Sequence, residues 1–273
     1  MMGSSVPRSI VLMAVLVLLG GCSPQAPLPA QKPCMTAASL NTYGYNYLSR
    51  VAKLLREDKK NIESFEGFIN AMKGTVDSYA NMVKSSVYIS NVVRFLPIPY
   101  AGEVSNTTKL ISKTVLNLGG AASALNRYKK SSDAFLENFD KLSPNNASAA
   151  DISKLAIYAD TKLLADAKDL ENALKEISSS TAMMAATTQS IADALDTTGG
   201  YVNQAKIYAG LSQPERDDKS TVVQNRNSIN ARMIQLNQKI ASLEKSGQTH
   251  RYNIAKARIY SELALQIDSP SAK

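Results

Sequence analysis

Only three side chains of this 273-residue sequence offer imidazole or thiol chemistry: His250, Cys22 and Cys34. A protein zinc site needs three or four converging ligands. His250 has no cysteine or acid at ligand spacing, so no metal is expected. A Ser-His-Asp relay would have to run through this one imidazole, and no Gly-x-Ser-x-Gly elbow exists to pair with it. The glycine-rich phosphate loops are missing in both standard spacings. The acidic doublets Glu57-Asp58 and Asp217-Asp218 read as solvated helix positions. His250, beside Gly247, reads as a solvent-exposed or packing residue. The expectation is a non-enzymatic chain without a cofactor.

Cys22 stands in a different context. Arg8 is followed by an apolar run, Ile10 to Leu19, and then by Gly20-Gly21-Cys22. A short basic region, an apolar stretch of about ten residues and small residues before a cut make a secretory signal. The run is too short for a membrane span, which takes roughly 20 residues. Leu19-Gly20-Gly21-Cys22 resembles the lipobox of bacterial lipoproteins. The resemblance implies cleavage before Cys22, a diacylglycerol on its thiol, and a lipid-anchored protein. Ser23, in place of an aspartate, resembles outer-membrane cargo, facing the periplasm or the cell surface. If Cys22 is acylated, Cys34 has no partner within the chain and is expected to be buried or inert.

Loss of residues 1–21 would leave 252 residues, enough for one sizeable core. Arg8 would leave with them, so 30 basic and 23 acidic residues remain, a net +7. The basic residues are interspersed with acids, which reads as a solvated helical surface and not as a nucleic-acid site. Tryptophan is absent and phenylalanine scarce, which weighs against a sugar-stacking site.

Residues 23–33 hold four prolines and favour an extended tether. At ~3.1 Å per residue it would reach roughly 35 Å. Residues 36–268 then read as a single all-α domain, an elongated antiparallel bundle of coiled-coil-like long helices, with 269–273 a disordered tail. The first stripe runs Leu40, Tyr47, Val51, Leu54, Phe65, Ile69, Met72, Val76, Tyr79, Val83. The polar patch from Glu57 to Asn61 interrupts it, as a kink would. Pro97, Ile98, Pro99 and Tyr100 form the expected hairpin tip. The second stripe runs Val104, Ile111, Val115, Leu118, Ala122, Leu125, Leu136, Phe139, with Gly119-Gly120 as a point of close helix approach or a bend. Ser148 and Asp151 make a capping box. They open a heptad seam of Leu163, Ala167, Leu170, Leu174, Ile177, Thr181, Met184, Thr188, Ile191 and Leu195. Gly199-Gly200 is read as its stop. Ser212, Pro214 and Glu215 open a last helix striped by Val222, Ile229, Met233, Leu236, Ile240 and Leu243, with a kink or turn expected at Gly247.

Tyr43 and Tyr47 share a helix face and are the candidate interaction patch; Tyr45 points elsewhere. The lipid anchor, the tether and the long helices suggest an envelope scaffold that docks a protein partner through helix faces, with self-association as a further option. Two other readings are open. One is a membrane-active protein with the general layout of α-helical pore-forming toxins, using the weakly charged hairpin 87–125. The other is a ligand-sensing bundle with a pocket between helices lined by Met183, Met184 and tyrosines.

Overall fold

The computed structural model describes residues 35–85, 101–209 and 216–268. Cys22, Cys34, the proline-rich tether, the tip Pro97–Tyr100, the start at Ser212–Glu215 and the tail 269–273 lie outside these residues, as do the side chains of Val83, Val104, Ile191 and Leu195. Residues from Thr36 onward form one compact unit. Among the described residues every element is helical: α1 (Ala37–Ser85), α2 (Ala101–Asp140), α3 (Ala149–Tyr158), a π turn (Ala159–Leu163), α4 (Leu164–Ala209) and α5 (Arg216–Asp268). The 53 residues of α5 span about 80 Å at 1.5 Å per residue.

Cross-helix partners show four long helices in a ring, each antiparallel to its neighbours. On α1 and α2, Arg56 pairs with Asp140 and Glu66 with Lys129. On α2 and α4, Arg127 pairs with Asp169, and Thr114 donates to the Met184 sulfur at 3.4 Å. On α4 and α5, Lys175 pairs with Glu244, and Arg226 donates to Gln189. On α5 and α1, Asn225 accepts from Ser78, and Lys239 donates to Ser64. In each pair of helices, one index rises as the other falls. The elongated antiparallel bundle expected from periodicity is the fold.

Two helix N-caps are in place, and the sequence pattern singles out the second, Ser148. Thr36 Oγ1 accepts from the Ser39 amide at 3.2 Å and opens α1. Ser148 Oγ accepts from the Asp151 amide at 3.1 Å, satisfying one of the orphan donors of the first turn of α3. The heptad seam is the core line of α4: Leu163, Leu170, Leu174, Ile177, Thr181, Met184 and Thr188 are all buried. Where the seam begins, the inward positions 159, 163 and 167 are two successive steps of four. The π turn takes up the extra rotation, so the inner faces of α3 and α4 stay in line.

Four sequence expectations are corrected. The patch Glu57–Asn61 does not kink α1: Leu55 and Ile62 are buried one heptad apart, and the polar residues between them cover a mostly outward turn. Gly247 does not interrupt α5, because buried Leu243 and His250 hold the turns on either side. Gly199-Gly200 does not end α4, which continues to Ala209. A helical glycine costs about 1 kcal/mol against alanine, which lowers propensity without forbidding a helix. Gly119 and Gly120 are exposed with nothing near their missing Cβ positions, so no helix approaches there.

The inner face of α2 also sits differently from its apolar stripe. Val115 and Ala122 face outward, and Leu116 is 74% exposed. The buried positions include Thr114, Ala121, Tyr128, Ser131 and Ser132. Their hydroxyls are satisfied within the helix, Thr114 on the Leu110 carbonyl at 2.8 Å and Ser132 on the Tyr128 carbonyl at 2.7 Å. A hydroxyl that bonds back onto its own turn is buried without a polar cost across the interface.

Candidate functional site

Tyr43 and Tyr47 project from one face of α1 toward α5. Gly44 sets how close the helices come: a Cβ there would lie 3.0 Å from Ile152 Cγ2 and 3.4 Å from the Ala257 carbonyl oxygen. With α1 drawn in, Tyr260 of α5 sits between the two rings. Its centroid is 5.4 Å from Tyr43, and 5.7 Å from Tyr47 at an interplanar angle of 12°. Tyr252 meets Tyr47 edge-on at 6.3 Å and extends the series. The result is a ladder of four tyrosines along the α1–α5 seam, all within the preferred range for aromatic pairs. Arg50 lies 4.9 Å over Tyr47, and Lys256 lies 5.8 Å over Tyr252. Tyr45 turns the other way and stacks on Phe139 at 5.2 Å.

Beside the ladder, α5 shows apolar residues to solvent. Tyr252, Ile259, Leu263 and Ile267 recur at steps of seven, four and four, and all are exposed, Tyr252 by 57%. The core face of the same helix carries Ile254, Ala257, Ser261 and Ala264. The outward stripe therefore lies opposite the bundle interior, and only Tyr252 at its head also meets α1, through Tyr47. Sequence reasoning placed Tyr43 and Tyr47 correctly on one face. It missed Tyr252, Tyr260 and the outward stripe, because helical spacing alone does not say which side of α5 meets the core.

A second polar feature lies inside the bundle. His250 is 2% exposed, and neither ring nitrogen has a hydrogen-bond partner. Its Nε2 is 3.9 Å from Asp58 Oδ2, beyond hydrogen-bond reach. Asp58 accepts instead from Ser246 Oγ at 2.6 Å and from Asn61 Nδ2 at 3.2 Å. Burial holds the imidazole below its ordinary pKa, and the Asp58 charge opposes this. Tyr128 is pushed well above the usual phenol range, first by burial and then by Asp58. Nearby, Tyr158 donates to the Ser131 carbonyl at 3.4 Å. The Ser246 proton points to a carboxylate and not to the imidazole, so His250 has no hydrogen-bonded nucleophile. Of the sequence alternatives for His250, packing is the one realised.

The expected Met183–Met184 pocket is not assembled: Met184 is buried against Thr114, whereas Met183 is 38% exposed. Among the described residues, no three His, Cys, Asp or Glu side chains converge as metal ligands, and no helix is long and apolar enough to cross a membrane. No protein-family model matches the chain, nor does any curated protein or solved structure.

Proposed function

We propose that this chain is a lipid-anchored scaffold of the bacterial cell envelope, held at the outer membrane through Cys22. It acts without catalysis by docking a protein partner on the α1–α5 face. The observation that carries the docking is the exposed stripe Tyr252, Ile259, Leu263 and Ile267 running beside the tyrosine ladder. Contiguous exposed apolar surface with a polar rim marks an interaction site, and half-exposed aromatics are the usual anchors of such sites. The stripe runs along one helix, which suits an amphipathic helix of the partner laid beside it. Arg50 and Lys256 border it over the Tyr47 and Tyr252 rings, and neither pairs with a carboxylate among the described residues. The complementary helix therefore carries acidic flanks.

The test is photo-crosslinking in intact cells from positions 252, 259 and 263 of the full chain, with position 116 as a control. The expected result is one protein adduct from the stripe positions that is absent from the control. Arg50→Glu combined with Lys256→Glu should remove it. Adducts only to lipid, or only to another copy of the chain, would sink this reading. The anchor is tested separately: mass spectrometry should find diacylglycerol on Cys22, and Cys22→Ser should release the chain from membranes.

A further inference from the structure

The α1–α5 seam opens into a hollow of about 500 Å³, lined by Asn61, Ser64 and Phe68 on α1 and by Arg232, Gln235 and Lys239 on α5, among others. Gly67 also lines it, with nothing within 4 Å of its missing Cβ, so one wall lacks a side chain. The size falls within the range of small-molecule sites.

Its charge is unbalanced. No acidic side chain lines the hollow. The nearest acids along α1 are engaged or turned away: Glu66 pairs with Lys129, Asp58 is taken by Ser246 and Asn61, and exposed Glu63 is not part of the wall. The other three seams are each tied by pairs of fixed opposite charges, Arg56–Asp140, Arg127–Asp169 and Lys175–Glu244. In the α1–α5 seam, Lys239 meets the Ser64 hydroxyl and lies 4.7 Å over the Phe65 ring. Arg232 donates to Gln235 Oε1. Neither cation has a carboxylate partner among the described residues. Partial burial also holds the Lys239 ammonium below its ordinary pKa, with no anion to offset the loss of water.

We propose that this hollow is an anion-binding site for a phosphomonoester or phosphodiester group attached to a small organic body. Lys239 and Arg232 supply the charge. Lysine acts as a point charge and arginine as a planar fork on phosphate oxygens. The Asn61 and Gln235 side chains and the Ser64 hydroxyl supply neutral polar contacts. Phe68 gives the organic body an apolar wall. A phosphate here would supply the counter-charge that each of the other seams already has. The same chemistry is carried by a free phosphate ester and by a phospholipid headgroup.

The full chain is titrated with glycerol 3-phosphate, with inorganic phosphate, and with phosphatidylcholine vesicles with or without phosphatidylglycerol. Binding is read by calorimetry and by the shift of the Gly67 amide resonance. Saturable binding is expected, weakened about tenfold or more in the Arg232→Gln, Lys239→Met double variant, since a charge-assisted contact is lost. Gly67→Leu fills the hollow without changing charge and should weaken binding as well, which guards against a folding artefact of the first variant. Lys154→Met, on an exposed lysine elsewhere, should bind as the wild type does. Binding of glycerol 3-phosphate without vesicle preference identifies a soluble ester. Binding only to phosphatidylglycerol vesicles, lost in both variants, identifies a headgroup. No saturable binding of any probe, or binding unchanged in both variants, overturns the proposal.

Discussion

One pair of helices closes its seam in two different ways. Near Tyr47 and Tyr260, α1 and α5 are joined by stacked rings. About 30 Å further along α1, by helical rise, the same seam holds the hollow at Gly67 and Lys239. The antiparallel register runs unbroken through both: Tyr47 faces Tyr260, Asp58 faces Ser246, Ser64 faces Lys239 and Ser78 faces Asn225. What changes is the volume at the facing positions. Four tyrosines fill one stretch, whereas Ser64, Gly67, Ala71 and Ser242 leave the other open. The cations differ in the same way. Arg50 and Lys256 lie over rings that border solvent, whereas Lys239 is drawn partly into the wall. Local side-chain size thus closes one stretch with stacked rings and leaves the other as an open hollow.

The strongest way to break this contrast is to empty the closed stretch. Tyr260→Ala removes the ring between Tyr43 and Tyr47. Full truncation of a buried aromatic costs roughly 3–5 kcal/mol; for half-buried Tyr260 about 2 kcal/mol is expected, read by urea unfolding. A loss below a few tenths would mean that the rings only decorate the surface. Gly44→Val attacks the close approach that seats the ladder. Its side chain meets Ile152 and the Ala257 carbonyl, and overpacking of this kind costs roughly 1–3 kcal/mol. The variant should also lower protection of α3 amides in hydrogen exchange. Unchanged exchange there would show that α1 and α3 are not held together at this point.

Much of the closed architecture was legible in the chain. The seam from Leu163 to Thr188 reads directly as core, because nearly every position carries a side chain with one clear preference. The inner face of α2 did not read so, because Thr114, Ser131 and Ser132 count as polar until their hydroxyls are seen bonding back onto their own helix. Continuity through Gly247 was hidden because glycine propensity is a weak term beside the packing of Leu243 and His250 on the neighbouring turns, and through Gly199-Gly200 because a helical glycine costs only about 1 kcal/mol. For the candidate sites the difficulty is greater. Tyr47 and Tyr260 lie at opposite ends of the domain's sequence, and only the ring order of the helices brings them together. The hollow consists of missing volume on two such distant segments, and no local pattern announces it.

His250 sits between the closed and open stretches and gives a smaller, pH-dependent test. Its folded pKa is below the unfolded value of about 6.5. The unfolded state therefore binds more protons in this range, and stability rises with pH. The contribution of the neutral, buried ring is complete above about pH 6.5 and is lost as pH falls through that value toward the folded pKa. His250→Leu removes two unsatisfied nitrogens and should stabilise the bundle by about 1 kcal/mol at neutral pH. Between pH 7 and 5 the variant should show a flatter stability profile than the wild type. Parallel profiles would mean that the Asp58 charge fully offsets burial, so that the imidazole titrates alike in the folded and unfolded states.

Gly67→Ala gives the finest contrast with Gly44, since the same methyl is added to the same helix at a position where nothing stands within 4 Å. Two effects point the same way: alanine is the better helix former, and the unfolded chain loses freedom. A gain of about 0.5–1 kcal/mol follows. The methyl also enters the hollow, so the substitution that strengthens the fold should weaken any ligand held there. Thermal unfolding with and without glycerol 3-phosphate separates the two effects: the free variant should melt above the wild type and gain less on adding the ligand. If Gly67→Ala instead lowered the melting temperature of the free chain, the hollow would be more tightly packed than its open wall indicates. The seam would then be closed along its whole length.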